Sequence, residues 1–131
     1  MAIKGLTRSA RYTPIAHHIG SGIGRRERPG VRRRQAFKAF QALGKAQAAQ
    51  DTEGFAQIIA DQKTGQILGA LVIGHEASNL IAEITLAVQN ELTLESVMET
   101  IHAHPTLAES WHEAAWMAFG APLHLPPKKK L

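Results

Sequence analysis

From about residue 35 onward, the alternation of apolar and polar positions marks out a series of elements. Gln35–Phe40 reads as a short strand, with Phe37 and Phe40 as its inward candidates. Ala42–Gln50 is rich in alanine and reads as loop or short helix. A hairpin follows. Phe55–Asp61 and Gln66–Ile73 are both rich in β-formers, and Lys63-Thr64-Gly65 between them puts glycine where a tight turn wants positive φ. Leu71-Val72-Ile73 is apolar on both faces, which predicts a central strand.

The period then changes from two to about 3.6. Ser78–Gln89 places Leu80, Ile84, Ala87 and Val88 on one helical face, and Asn90 stands where a helix C-cap is expected. Thr93 is the candidate N-cap of a second helix whose stripe is Leu94, Val97, Met98 and Ile101. That helix must end before Pro105, because a proline disfavours helical backbone at the residue before it. Thr106 with Glu109 three positions on forms a Thr-x-x-Glu capping box for a last helix, which runs to about Phe119 and ends at Gly120 and Pro122. Strands followed by helices predict an α+β fold, an antiparallel β-sheet with helices packed on one side.

Composition adds a boundary. Residues 1–34 carry nine Lys/Arg and one acid, Glu27, with no apolar period. Residues 35–131 carry six Lys/Arg against ten Asp/Glu, so the formal net charge of +4 belongs to the ends. The expected organisation is a basic leader over 1–34, disordered or unrelated to the rest, a domain over 35–125, and a basic tail over 126–131. Nucleic acid is not an expected partner, because no aromatic interleaves the leader's arginines to stack on bases. Gly20-Ser21-Gly22-Ile23-Gly24 matches a dinucleotide fingerprint only superficially, since Arg28-Pro29-Gly30 makes a poor helix start.

Exclusions narrow the chemistry. The 131 residues contain no cysteine, so they carry no thiol redox pair and no thiolate metal site. No apolar run reaches the roughly 18 residues a membrane helix needs, and the expected compartment is the cytoplasm. His102-Ala103-His104 offers two imidazoles without a third ligand at a useful spacing, so no metal site is expected. His17, His18, His75, His112 and His124 are scattered and read as surface or loop residues.

His104 is the chemically interesting position. Imidazole exchanges protons near neutral pH, and a carboxylate on one ring nitrogen fixes its tautomer and stabilises the imidazolium. Glu109, five residues on, has two readings: it folds back onto His104, or it caps the last helix. Spacing alone favours the cap. Trp111 and Trp116 on that helix read as core, or as part of a partner-facing patch.

Five ordered stretches then resemble one family. They are Asp51-Thr52-Glu53-Gly54-Phe55, Ile67-Leu68-Gly69 with Ile73-Gly74, Ala77 with Leu80-Ile81-Ala82-Glu83, His102-Ala103-His104-Pro105-Thr106-Leu107-Ala108-Glu109, and Trp111-His112-Glu113-Ala114-Ala115. From about Phe40 to Pro127 the chain resembles the C-terminal interface (dimerisation) domain of the pyridine nucleotide-disulfide oxidoreductases, closest to the dihydrolipoyl dehydrogenase (lipoamide dehydrogenase) branch. Mercuric and glutathione reductases share the His-Pro-Thr core and stand as weaker matches. The resemblance implies that His104 is the acid–base catalyst of thiol–disulfide exchange and that Glu109 orients it. It implies a cis bond at His104–Pro105 and a Pro105 main chain facing the flavin of the partner subunit, in a homodimer whose parent enzyme uses FAD and NAD.

The departures are as specific. The FAD domain, the NAD domain and the redox cysteines are not in this sequence, and Tyr12-Thr13-Pro14-Ile15-Ala16 only echoes the family's opening segment. The expectation is a truncated or isolated dimerisation domain that binds no cofactor alone and does not turn over alone. Its partner would be a second copy or a full-length reductase subunit. The alternative is a non-catalytic dimerisation or partner-binding module.

Overall fold

A computed structural model describes residues 6–9, 19–25 and 32–120; side chains are described over 32–120, Phe37 excepted. The earlier expectations for Tyr12–Ala16, His17, His18, Pro122, His124, the 126–131 tail and the inward packing of Phe37 lie outside what is described. The elements in chain order are strands β1 (Leu6–Ser9), β2 (Ile19–Arg25) and β3 (Arg33–Ala39), a 3-10 turn at Phe40–Ala42, helix α1 (Gly44–Ala49), strands β4 (Gly54–Asp61) and β5 (Ile67–Gly74), and helices α2 (Ala77–Gln89), α3 (Leu94–Glu99) and α4 (Glu109–Phe119). The strands form one antiparallel sheet in the order β1-β2-β5-β4-β3.

β5 is the central strand, as its apolar run predicts. Ala56, Ile58 and Ala60 of β4, with Ala70 and Val72 of β5, are buried beneath the helices. Phe55, Gln57, Ile59, Leu71 and Ile73 alternate onto the other, less covered face. α2 lies across β5 and β2, α4 lies across β3 and β4, and α3 packs on α4. Leu80, Ile84, Ala87, Val88, Leu94, Val97 and Trp111 fill the core between the layers. The hairpin turn forms as predicted. Gly65 has φ of 74°, and the Asp61 carboxylate accepts the Lys63 and Thr64 amides.

Two strands lie inside residues 1–34, where composition predicts no regular structure. β2 pairs with β5 from Ile19↔Gly74 to Gly24↔Gly69, and β1 pairs with β2. Main-chain groups make a ladder, so a strand needs no apolar period of its own when a central strand offers an unpaired edge.

The helical ends need two corrections. α3 stops at Glu99, so Ile101 is not in its buried stripe; that side chain is 96% exposed. The last helix begins at Glu109, not at Thr106. Thr106 instead donates its hydroxyl to the Ala103 carbonyl, and a turn at Leu107–Ala108 leads into α4.

Candidate active site

Residues 100–108 bridge α3 and α4. Ile101, Ala103, His104 and Pro105 are exposed along this bridge, whereas the His102 ring is tucked in. The His104–Pro105 peptide is cis. Glu109, the first residue of α4, reaches back over the turn. One carboxylate oxygen accepts the Thr106 amide at 2.8 Å, and the other lies 2.8 Å from Nδ1 of His104. One Glu109 oxygen therefore holds the bridge main chain at Thr106, ahead of the helix, while the other pairs with His104.

The geometry assigns the tautomer. An ionised carboxylate only accepts hydrogen bonds, so Nδ1 is the donor and Nε2 of neutral His104 is left as a basic lone pair. The His104 side chain is 77% exposed, and among the described residues Nε2 meets no partner. A base so held can take a proton from a group brought from outside, while Glu109 stabilises the imidazolium that results. Pro105 stands beside it at the mouth of a groove of about 420 Å³, lined on the other side by Lys45, Glu76, Asn79 and Glu83.

Three arrangements escape reasoning from local spacing. His102, read as a weak metal candidate, instead places Nε2 2.7 Å from Glu83 of α2 and Nδ1 3.0 Å from the Thr100 carbonyl. Among the described residues no cluster of three potential metal ligands occurs. His112 accepts the Trp116 indole N–H at Nε2 and lies 5.5 Å, ring to ring, from His102. Its pKa is lowered from 6.5 mainly by burial, then by His102, against the opposing pull of Glu113, Glu109 and Glu83. Lys38 and Glu113 form a buried ion pair at 3.3 Å between β3 and α4. The partners stand 75 residues apart, so no local spacing pairs them. The two tryptophans divide: Trp111 is fully buried with its indole N–H on the Leu80 carbonyl, and Trp116 is half-buried.

Comparison with known proteins decides the family. The pyridine nucleotide-disulphide oxidoreductase dimerisation domain matches residues 32–115. The chain belongs to that family. A dihydrolipoyl dehydrogenase of Chlamydia trachomatis is 63% identical over 91 residues, which are 70% of this chain and 20% of the relative. A dihydrolipoamide dehydrogenase of Chaetomium thermophilum is 36% identical over 121 residues, 92% of this chain and 24% of the relative. That second match therefore extends into residues 1–34. Among solved structures, LpdA from Mycobacterium tuberculosis superposes with a TM-score of 0.73 at 25% identity, covering 85% of this chain and 24% of that one. The chain spans about a fifth of the length of the curated relatives it matches. The α+β sheet-and-helix layer described above agrees with that family's fold.

Proposed function

We propose that this dimerisation domain supplies His104 and Glu109 as an acid–base pair to the dithiol–disulfide site of a dihydrolipoyl dehydrogenase-like flavoprotein. The carrying observation is the 2.8 Å Nδ1–carboxylate contact, made by an imidazole that is otherwise open to solvent. In this reading Nε2 accepts the proton of a substrate thiol, the thiolate becomes the nucleophile, and Glu109 holds the ring and stabilises its charge. The parent reaction is oxidation of dihydrolipoamide with NAD as final acceptor.

The described residues do not themselves fit a flavin or nicotinamide site. Gly20, Gly22 and Gly24 lie inside β2, paired with Ile73, Leu71 and Gly69, so their main chain is engaged in the sheet and cannot cradle a pyrophosphate. With no cysteine in the 131 residues, the disulfide also comes from outside them. In this reading FAD, NAD and the cysteine pair lie outside these 131 residues, with Pro105 as the main-chain element facing the flavin. The chain alone is not expected to turn over. Among the described residues no helix is long and apolar enough to cross a membrane, and the proposed setting is the cytoplasm.

The test is reconstitution. The chain is mixed with an FAD-loaded dihydrolipoyl dehydrogenase subunit whose own dimerisation domain has been removed, and NADH formation is followed. Restored turnover that falls by roughly 10²- to 10⁴-fold with His104→Gln supports the proposal. Equal rescue by that variant refutes it, as does turnover by the chain alone.

A second reading, a non-catalytic partner-binding module, is favoured by a different surface. Leu86 (64% exposed), Leu92 and Ile101 are exposed apolar residues around one groove between α2, α3 and the bridge. The fully buried Trp111 does not contribute to it. Sedimentation that shows association abolished by Leu86→Lys with Ile101→Lys, together with no rescue of turnover, would favour this second reading.

A further inference from the structure

Leu107 and Ala108 pack against the core, but the stretch of the bridge before them is mostly exposed, yet it carries an imidazole that must meet a carboxylate within ångströms. Ile101, Ala103, His104 and Pro105 are all exposed. Between α3 and Pro105, His102 is the one residue whose side chain is almost wholly covered, 5% exposed. Its ring is held on both sides, by Glu83 at 2.7 Å and by the Thr100 carbonyl at 3.0 Å.

The far ends of these contacts converge on α2. Glu83 is on α2, and so is Leu80, one turn earlier, whose carbonyl accepts the indole N–H of Trp111 at 2.9 Å. His102 is two residues before His104, and Trp111 is two residues after Glu109. The two halves of the His104–Glu109 pair are therefore each tied, two residues out, to neighbouring points on the same helix. Ile84, fully buried beside Glu83, roots that helix in the core. Glu83 also lines both grooves that flank the bridge, and His102 lines the second of them.

We infer that Glu83 and His102 are positioning residues: through them α2 sets the place of the His104 imidazole relative to Glu109. This rests on the reading of His104–Glu109 as a working pair, but its measurement does not depend on turnover. A histidine whose Nδ1–H is held by a carboxylate keeps that tautomer, whereas a free neutral imidazole favours Nε2–H. Nitrogen-15 NMR of the neutral imidazole in the full chain distinguishes the two.

The wild type is expected to show His104 with Nδ1 protonated. Glu83→Ala and His102→Leu are expected to lose that signature, and His102→Gln, which keeps a donor toward Glu83, to retain most of it. Alanine at position 83 is a good helix former, so this variant leaves a folded chain to measure. Glu109→Gln is the control for the underlying pair. If Glu109→Gln leaves the tautomer unchanged, the pair reading fails. If Glu109→Gln shifts the tautomer while Glu83→Ala leaves it in place, the positioning role of α2 is overturned.

Discussion

The Lys38–Glu113 ion pair should dominate the attachment of α4 to the sheet, and removing one half of it is a sharp test of that. Lys38 is 1% exposed and the Glu113 side chain 5%. Lys38→Met preserves much of the aliphatic volume but takes the ammonium away from a buried carboxylate. Breaking a buried pair from one side costs about 3–5 kcal/mol, chiefly because a charge is left in a poor solvent. The 3.3 Å separation is longer than the roughly 2.7–2.9 Å of the strongest charged hydrogen bonds, which places the expected loss near the lower end, about 3 kcal/mol. For a domain of this size that is about 12 °C in the melting temperature. Urea unfolding monitored by far-UV circular dichroism measures it. The double variant Lys38→Met with Glu113→Leu removes both charges and should recover most of the loss, since a buried pair replaced by apolar side chains is often neutral or better. A single variant within about 1 kcal/mol of wild type, or a double variant no better than the single, refutes the reasoning.

Three further outcomes follow from individual contacts. Gly74 has φ of 131° and a Cβ there would come within 2.8 Å of both the Glu53 carbonyl and the Phe40 ring, so Gly74→Ala should cost more than about 1 kcal/mol in a denaturant melt. Ser110 is fully buried and its hydroxyl finds no partner among the described residues, so Ser110→Ala should raise stability by roughly 0.5–1.5 kcal/mol, read from the same melts. His112 has a lowered pKa in the fold, so below about pH 6.5 the unfolded chain binds more protons than the folded one, and stability falls as the pH drops. Melting temperatures taken from about pH 7 to about pH 5 should decline less steeply for His112→Gln than for wild type; equal slopes would contradict the assignment.

Much of the fold is legible because local signals and burial agree. The hairpin is announced by Gly65 between two β-rich runs, and the buried face of α2 follows from four apolar positions at helical spacing. The signal fails where a residue's environment is set by distant chain. Phe37 and Phe40 cannot both face one side of a regular strand of period two; Phe40 reaches the core because β3 ends at Ala39 and the chain turns. Ile101 continues the apolar spacing of α3, but the helix has already ended, so periodicity puts it in a core it never enters. Residues 6–9 and 19–25 have the composition of a leader and the backbone of strands, because the edge of β5 supplies hydrogen-bond partners to 19–25, which in turn pair with 6–9.

The site shows why local rules and function are hard to separate in a sequence. A Thr-x-x-Glu spacing invites a choice between a capping carboxylate and one that serves His104. A carboxylate has two oxygens, and here one accepts the Thr106 amide while the other faces the imidazole. The first contact fixes the rotamer that the second needs, so the structural role prepares the chemical one at no further entropic cost. What spacing could not reveal is the far support. Glu83 stands nineteen residues before His102, and their contact exists only once α2 has packed on the sheet. Residues that hold a pair through tertiary packing leave no local pattern, and they become visible when each nitrogen of a ring is followed to its partner.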